Sequence, residues 1–434
     1  MKIKPKTINI ITLGCSKNTV DSEQLASKLE SSGYKVVHNS ETENFDIAMV
    51  NTCGFIEEAK EESINAILEL VTLKEAQKIE KIVVFGCLSE RYKKDLVEGI
   101  PEIELFFGNF NLAELINSLG ISEVKDDKYN RNFDSNGHYA YLKIADGCNR
   151  GCSFCAIPLI KGKYKSRPIQ DIIEEAQYLA KKGVKELLLI AQDLNYYGFD
   201  IDKEFLLPQL VEQLSEIQGI EWIRLHYLYP FFISEKLIDV IANNPKVCKY
   251  IDIPLQHISD KVLKSMNRNG TKQQIIQLLN DFRKKIPELT IRTTMIVGYP
   301  QETERDFNEL MEFIKEQKFD RLGVFTYSEE EDTKAAKHYK DSIPQEIKKQ
   351  RASKILSIQQ KISFEKNQTK IGKTYKVLID KKEDVNFVGR TEHDSVDVDN
   401  EVIVYSDNDL EIGNFYNILI TEAFEYDLVG IVKD

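Results

Sequence analysis

The 434-residue sequence predicts a multidomain α/β chain: an N-terminal doubly wound parallel sheet, a central open (βα)6 partial TIM barrel and a small C-terminal β-barrel. Three observations carry that expectation. Short apolar runs alternate with helical periodicity through residues 7–110, the pattern of a parallel sheet wound on both faces. Six further strand-like runs alternate with helical stretches between residues 139 and 328, too few for a closed eight-stranded barrel. Beyond a charged helical stretch at 345–366, the pattern changes to short alternating runs punctuated by glycine, as in a small β-barrel. The domain spans expected from these changes are 1–125, 134–366 and 367–434, with the polar tract EVKDDKYNRNFDSNG as the linker between the first two.

In the first segment the apolar runs are TINIITLGC, FDIAMVNTC and KIVVFGC. Helical stretches follow from about Asp21 to Gly33 and from about Phe55 to Leu73. Each apolar run ends in a cysteine: Cys15, Cys53 and Cys87. In open α/β sheets ligands bind outside the carboxyl ends of the strands, so the three thiols are expected along one sheet edge. Three thiolates on three separate loops suit a cubane iron–sulfur cluster with one iron left open. The alternatives are buried cysteines acting as small hydrophobes, or zinc. A structural zinc site would want a fourth protein ligand, and His38 is the sole histidine near these loops.

The second segment opens with a strand over Tyr139–Ile144, followed directly by DGCNRGCSFCAIPLIKGKYKSRP. The later strands are KELLLIAQD, EWIRLHYL, KYIDIPLQH, TIRTTMIVG and DRLGVFTYS. The intervening helices are expected at 169–182, 204–217, 234–242, 272–285 and 303–318, with Thr303 and Asp306 as a capping pair. Chemistry in such barrels sits at the carboxyl ends of the strands, where the cysteine loop begins. Cys148, Cys152 and Cys155 form CxxxCxxC with no fourth cysteine nearby, whereas an all-protein cluster normally has four. The missing ligand has a chemical use. The amino and carboxylate groups of S-adenosylmethionine can chelate the open iron, and one electron then cleaves the sulfonium to a 5′-deoxyadenosyl radical. The competing reading is a zinc loop completed by His226 or His257. Cys248, at the opposite end of its βα unit, reads as structural.

Composition narrows the setting. No apolar run approaches the roughly 18 residues of a membrane span, and the start MKIKPKTINIITLGC is too short and polar for a secretory signal. A cytoplasmic location is the expectation. Seven cysteines, an odd number, in a reducing compartment argue for metal ligation over disulfides. The net charge of −12 argues against broad nucleic-acid binding and suits a basic protein partner. From Ile371 to Asp434 there are six Lys/Arg and fifteen Asp/Glu, a net charge of −9. A barrel meant to grip RNA phosphates should instead be basic.

LGCSKNTVDSE, NTCGFIEEAKEES and GCLSERY, together with the CxxxCxxC tract, resemble the motifs of the radical methylthiotransferase family, and the resemblance spans essentially the whole chain. It implies a cluster at Cys15, Cys53 and Cys87 associated with the inserted sulfur. It also implies a second 4Fe–4S cluster at Cys148, Cys152 and Cys155 that binds S-adenosylmethionine, the source of radical and methyl group. Candidate cofactor contacts are Ser166 and Arg167 after the loop, Gln192 and Asp193 at the second barrel strand, Arg224 on the third, Gln256 after the fourth and Gly298 after the fifth. The closing segment resembles the TRAM module. NTCGFIEEAKEES and CSFCAIPLIKG are similar to the RimO branch, which implies methylthiolation at the β-carbon of an aspartate in the S-twelve protein of the small ribosomal subunit. An electron donor such as flavodoxin or ferredoxin is implied too; the sulfur donor is open. The alternatives are methylthiolation of a tRNA adenosine and a non-catalytic zinc or iron–sulfur protein.

Overall fold

A computed structural model describes residues 6–41, 44–108, 112–121, 129–133 and 137–433. The chain divides into two units. One holds Met1–Asp134 with Asp146–Asn149 and Ala156–Lys165; the other holds Ser135–Ala145, Arg150–Cys155 and Ser166–Asp434.

In the first unit, strands β1 (Thr7–Thr12), β2 (Lys35–His38), β3 (Ile47–Thr52), β4 (Lys81–Gly86) and β5 (Leu105–Phe106) form one sheet in the order β2-β1-β3-β4-β5, parallel throughout. Helices α1 (Ser16–Ser31), α2 (Glu57–Glu75) and α3 (Cys87–Gly99) follow β1, β3 and β4. Alternate residues of each strand face opposite sides of the sheet. Ile8, Ile10, Met49, Val83 and Phe85 join Leu25 and Leu29 of α1 in one core. Ala48, Val50, Ile82 and Val84 join Ile67 and Leu70 of α2 in the other. The sequence expectation of three strands misses β2 and β5, which are only four and two residues long. It also starts α1 five residues late, because the helix begins directly after Cys15 in the polar tract SKNTVD.

The second unit contains the partial barrel. Strands β6 (Tyr139–Lys143), β9 (Glu186–Ile190), β10 (Trp222–Leu225), β11 (Val247–Asp252), β12 (Thr290–Val297) and β13 (Arg321–Thr326) form one open parallel sheet in that order, while the two-residue strands β7 (Ala145–Asp146) and β8 (Lys165–Ser166) bound the cysteine tract. The helices fall where periodicity places them, except that the 204–217 stretch starts its long helix only at Leu207. The Thr303–Asp306 capping box is present. Cys248 lies inside β11 rather than before it, buried against Trp222 and Tyr250.

After the helix Gln345–Gln368, strands β14 (Thr374–Glu383), β15 (Asn386–Thr391), β16 (Val402–Tyr405), β17 (Phe415–Ala423) and β18 (Leu428–Val432) close into a barrel, β14-β15-β16-β18-β17. Gly389 and Gly430 lie within β15 and β18. A Cβ at Gly389 would stand 2.3 Å from the Leu378 carbonyl oxygen, so close strand approach fixes that residue. Of the expected linker, residues 123–128 and 134–136 lie outside the described residues. Within the described part, Arg131 is buried in an ion pair with Glu23 of α1.

Candidate active site: two cysteine constellations

The order β2-β1-β3-β4-β5 places a topological switch point between β1 and β3, where ligands of doubly wound sheets bind. The strand ends are level there: Thr12 pairs with Asn51, and Thr52 pairs with Gly86. Cys15, Cys53 and Cys87 follow these ends on three neighbouring strands. Backbone approach draws their loops together. Gly14 has φ +92°, and a Cβ on it would lie 2.7 Å from Cys53 Cβ and 3.0 Å from Cys53 Sγ. Gly54 lies so close to the next loop that a Cβ there would be 2.7 Å from Leu88 Cα. Only glycine tolerates such approach.

Side chains beneath the loops hold this edge. Asn18 Nδ2 donates to the Leu13 carbonyl at 2.7 Å, and Asn51 Nδ2 donates to the Asn18 carbonyl at 2.9 Å. The Ser63 hydroxyl accepts from Cys53 N–H at 3.0 Å and donates to the Cys53 carbonyl at 3.1 Å.

The thiols differ. Cys15 is exposed, Cys53 half-buried and Cys87 buried. Burial pushes the Cys53 thiol up to about 11, and the nearby sulfurs of Cys15 and Cys87 add to the rise. Burial also raises Cys87, against the opposing charge of Lys161. Cys53 and Cys87 therefore each feel a neighbouring sulfur. Cys15 caps α1 and Cys87 opens α3, so the positive ends of two helix dipoles lie beside the edge, a setting that favours an anion. Among the described residues no three His, Cys, Asp or Glu side chains close on a single metal ion. A cubane asks for something else, since each thiolate takes its own iron. Three soft sulfur donors and anion-favouring surroundings fit such a cluster.

The CxxxCxxC tract is shared between the two units. In the first, Cys148 N–H donates to the Gly162 carbonyl at 3.1 Å. In the second, Ser153 fixes the stretch around Cys152 and Cys155. Its N–H donates to the Met266 carbonyl at 2.9 Å, and its hydroxyl lies 2.9 Å from both the Ser265 carbonyl and the Tyr299 hydroxyl. Arg150 Nε donates to Asp193 Oδ2 at 2.5 Å, and its guanidinium lies 4.3 Å over the Tyr229 ring. Burial raises the Asp193 carboxyl, with Arg150 opposing.

The other candidates divide by what occupies them. Gln192 and Gln256 each leave a buried amide oxygen with no partner among the described residues, beyond the carboxyl ends of β9 and β11. An unsatisfied buried acceptor costs about 1–3 kcal/mol, and such an atom at a barrel mouth fits an ammonium or hydroxyl donor. Ser166 is spent on Asp200, through its N–H at 2.9 Å and its hydroxyl at 2.5 Å. Arg167 donates to the Lys143 carbonyl at 2.6 Å and pairs with Glu175 at 2.7 Å. Gly298 does allow close approach, but the stem of Lys348 occupies the space, 2.3 Å from where its Cβ would be. Arg224 is not brought to the mouth. Its guanidinium is fully buried on Glu186, the first residue of β9, and on the Glu392 carbonyl of the C-terminal barrel. The histidines offered for zinc are engaged elsewhere: His226 with Ser395 at 2.9 Å, and His257 with the Ser259 N–H at 3.0 Å.

Arg150 and Ser153 lie inside the cysteine motif, so their neighbourhood was visible although their roles were not. Arg268, which reaches the same loop, sits in the turn NRNG with no pattern to mark it.

Residues 142–314 match the radical SAM superfamily, 7–108 the uncharacterized protein family UPF0004 and 371–432 the TRAM domain. The chain is 52% identical over 429 residues to the ribosomal protein uS12 methylthiotransferase RimO of Bacteroides fragilis, covering 99% of both. It is 51% identical to the protein of the same name from Phocaeicola vulgatus, covering 99% of this chain and 100% of the relative. Among solved structures, the radical S-adenosylmethionine methyltransferase TsrM of Kitasatospora setae, with cobalamin and a [4Fe–4S] cluster bound, aligns with TM-score 0.56 at 14% identity, covering 77% of each chain. The cobalamin-dependent radical enzyme OxsB aligns with TM-score 0.52 at 13% identity, over 81% of this chain and 56% of that one. These two likenesses concern the fold.

Proposed function

We propose, from the premise that this chain belongs to the RimO family of radical S-adenosylmethionine methylthiotransferases, that it places sulfur and a methyl group on the β-carbon of an aspartate in ribosomal protein uS12. Identity of about half the residues over the full length of such relatives is the observation that carries this reading. The acidic C-terminal barrel, net −9, suits a basic protein better than RNA.

The site assignments are ours. Cys148, Cys152 and Cys155 hold the cluster that chelates S-adenosylmethionine, and Cys15, Cys53 and Cys87 hold a second. Bound there, the clusters and cofactor supply the electron, the radical, the sulfur and the methyl group. The chain's residues do the rest. Ser153 and the Arg150–Asp193 pair hold the loop rigid, as precise chemistry requires. Gln192 and Gln256 offer acceptors to the cofactor. Asn18, Asn51 and Ser63 hold the second cluster's edge. We assign spans of 1–125, 134–366 and 367–434 to the three domains, a flavodoxin or ferredoxin as electron donor, and the cytoplasm as location. Among the described residues no helix is long and apolar enough to cross a membrane.

The deciding experiment compares cells with and without this protein. Peptide mass spectrometry is expected to find methylthio-aspartate in uS12 only where the protein is present. A gain of methylthio-adenosine in tRNA digests with no change in uS12 overturns the substrate. Anaerobically reconstituted protein is expected to hold about eight irons, two cubanes, and Cys152→Ala to stop deoxyadenosine formation while keeping about four.

A further inference from the structure

Arg268 is almost fully buried, and its guanidinium reaches the cysteine loop through sulfur. Nη1 stands 3.6 Å from Cys152 Sγ, within hydrogen-bonding range for sulfur. The group is held from two further sides. Nη2 donates to the Pro254 carbonyl at 2.5 Å, the guanidinium carbon lies 4.6 Å from the centre of the Tyr229 ring, and Tyr229 is itself fixed by the Asn269 N–H at 3.3 Å. Its Nε is buried with no partner among the described residues. A cation is costly to bury unpaired. Among the described residues Arg268 has no carboxylate in an ion pair, and the sulfur is the anionic group that its donors meet there once Cys152 is a thiolate.

We propose that Arg268 donates to the Cys152 thiolate and thereby raises the reduction potential of the cluster bound at Cys148, Cys152 and Cys155, with Pro254 and Tyr229 as its frame. The inference rests on the ligand assignment made above. Reduction adds negative charge to the cluster, and a donor to a ligating sulfur stabilises the more negative state; hydrogen bonds to sulfurs are among the determinants of cluster potential. Burial strengthens the effect, because the charge acts through a medium of low dielectric. Arg268 is thus a positioning residue that acts through Cys152, not a group that touches substrate.

The test is a mediated redox titration of the full-length, anaerobically reconstituted protein, followed by electron paramagnetic resonance. The signal that changes when S-adenosylmethionine is added identifies the cluster with the chelated iron. Arg268→Met is expected to move the midpoint of that signal to more negative potential, with Arg268→Lys falling between it and wild type. The other cluster's midpoint stays put. Iron content and melting temperature are measured on the same samples. If Arg268→Met fails to load iron, Arg268→Lys decides. A fully loaded variant with an unmoved midpoint overturns the proposal. If Cys152→Ala keeps the cofactor-sensitive signal, the ligand assignment falls, and this inference with it.

Discussion

Arg390 of β15 places Nη1 2.8 Å from Glu186 Oε2 of β9, both side chains being buried. Glu186 Oε1 takes Arg224 Nε at 2.7 Å, so one carboxylate bridges two arginines. Burial would raise the Glu186 carboxyl, but Arg390 and Arg224 outweigh it and hold it below the usual range. This is how the C-terminal barrel is fastened under the partial barrel. Breaking one partner of a buried pair costs about 3–5 kcal/mol, because the other charge is stranded. Glu186→Gln is therefore expected to lose about that much in urea unfolding. Arg390 also holds Asp380 through Nε at 2.7 Å, so a quadruple replacement by apolar residues, removing Glu186, Arg224, Arg390 and Asp380 together, is expected to lose far less.

A second pair joins the same two barrels. Asp394, fully buried, is bonded by Arg321 Nη2 and by the Thr391 hydroxyl at 2.7 Å. Burial opposes ionisation, but Arg321, with Lys370 and the Thr391 hydroxyl, wins and brings the carboxyl to about 2. An unfolded aspartate titrates near 3.9. A depressed folded value stabilises above the unfolded one and is lost as pH falls through the folded one. Asp394→Asn is expected to be less stable than wild type at about pH 6, with the gap closing between about pH 4 and pH 2. Urea unfolding across that range checks it; a gap that persists unchanged to pH 2 excludes the pair as its source.

These fastenings show where sequence reading stops. The fold classes were legible because hydrophobic period reports which faces are buried, and Cys15, Cys53 and Cys87 could be placed because strand ends in parallel sheets are level. Arg224 was misleading for the same reason. It lies on a barrel strand, but strand position does not say toward which end a long side chain turns. That depends on Glu186 and Glu392, which meet it only through tertiary folding. Gly298 taught a similar lesson: close approach was foreseeable, the approaching group was not. Arg268 had no periodic or motif signal at all, since its partners Pro254, Tyr229 and Cys152 are dispersed in sequence.

The three N-terminal thiols are expected to react unequally once the cluster is removed. Thiolate fraction and access set the rate of alkylation. Cys15 is exposed, whereas Cys53 is half-buried with its thiol near 11 and Cys87 is buried and raised. Iodoacetamide at about pH 8 should label Cys15 first, with Cys53 and Cys87 following only slowly. Peptide mass spectrometry over a time course reads the order. Equal rates at the three positions would mean that the edge does not keep its geometry without the cluster.

Gln192 and Gln256 make opposite predictions for the empty and the loaded protein. Each buries an amide oxygen that nothing in the described chain satisfies. Replacing either by leucine removes that desolvation cost, so the cofactor-free protein is expected to be as stable as wild type or slightly more so. If the oxygens accept from S-adenosylmethionine, the same change removes a partner from a charged donor. A loss of about 1.5–3 kcal/mol follows, roughly ten- to hundredfold in affinity. Thermal melting of the apo protein and equilibrium binding of the cofactor to the reconstituted one separate the two effects. A leucine variant that melts higher and binds the cofactor unchanged assigns the orphan oxygen to water, and the positioning of the cofactor then falls to other groups at the mouth.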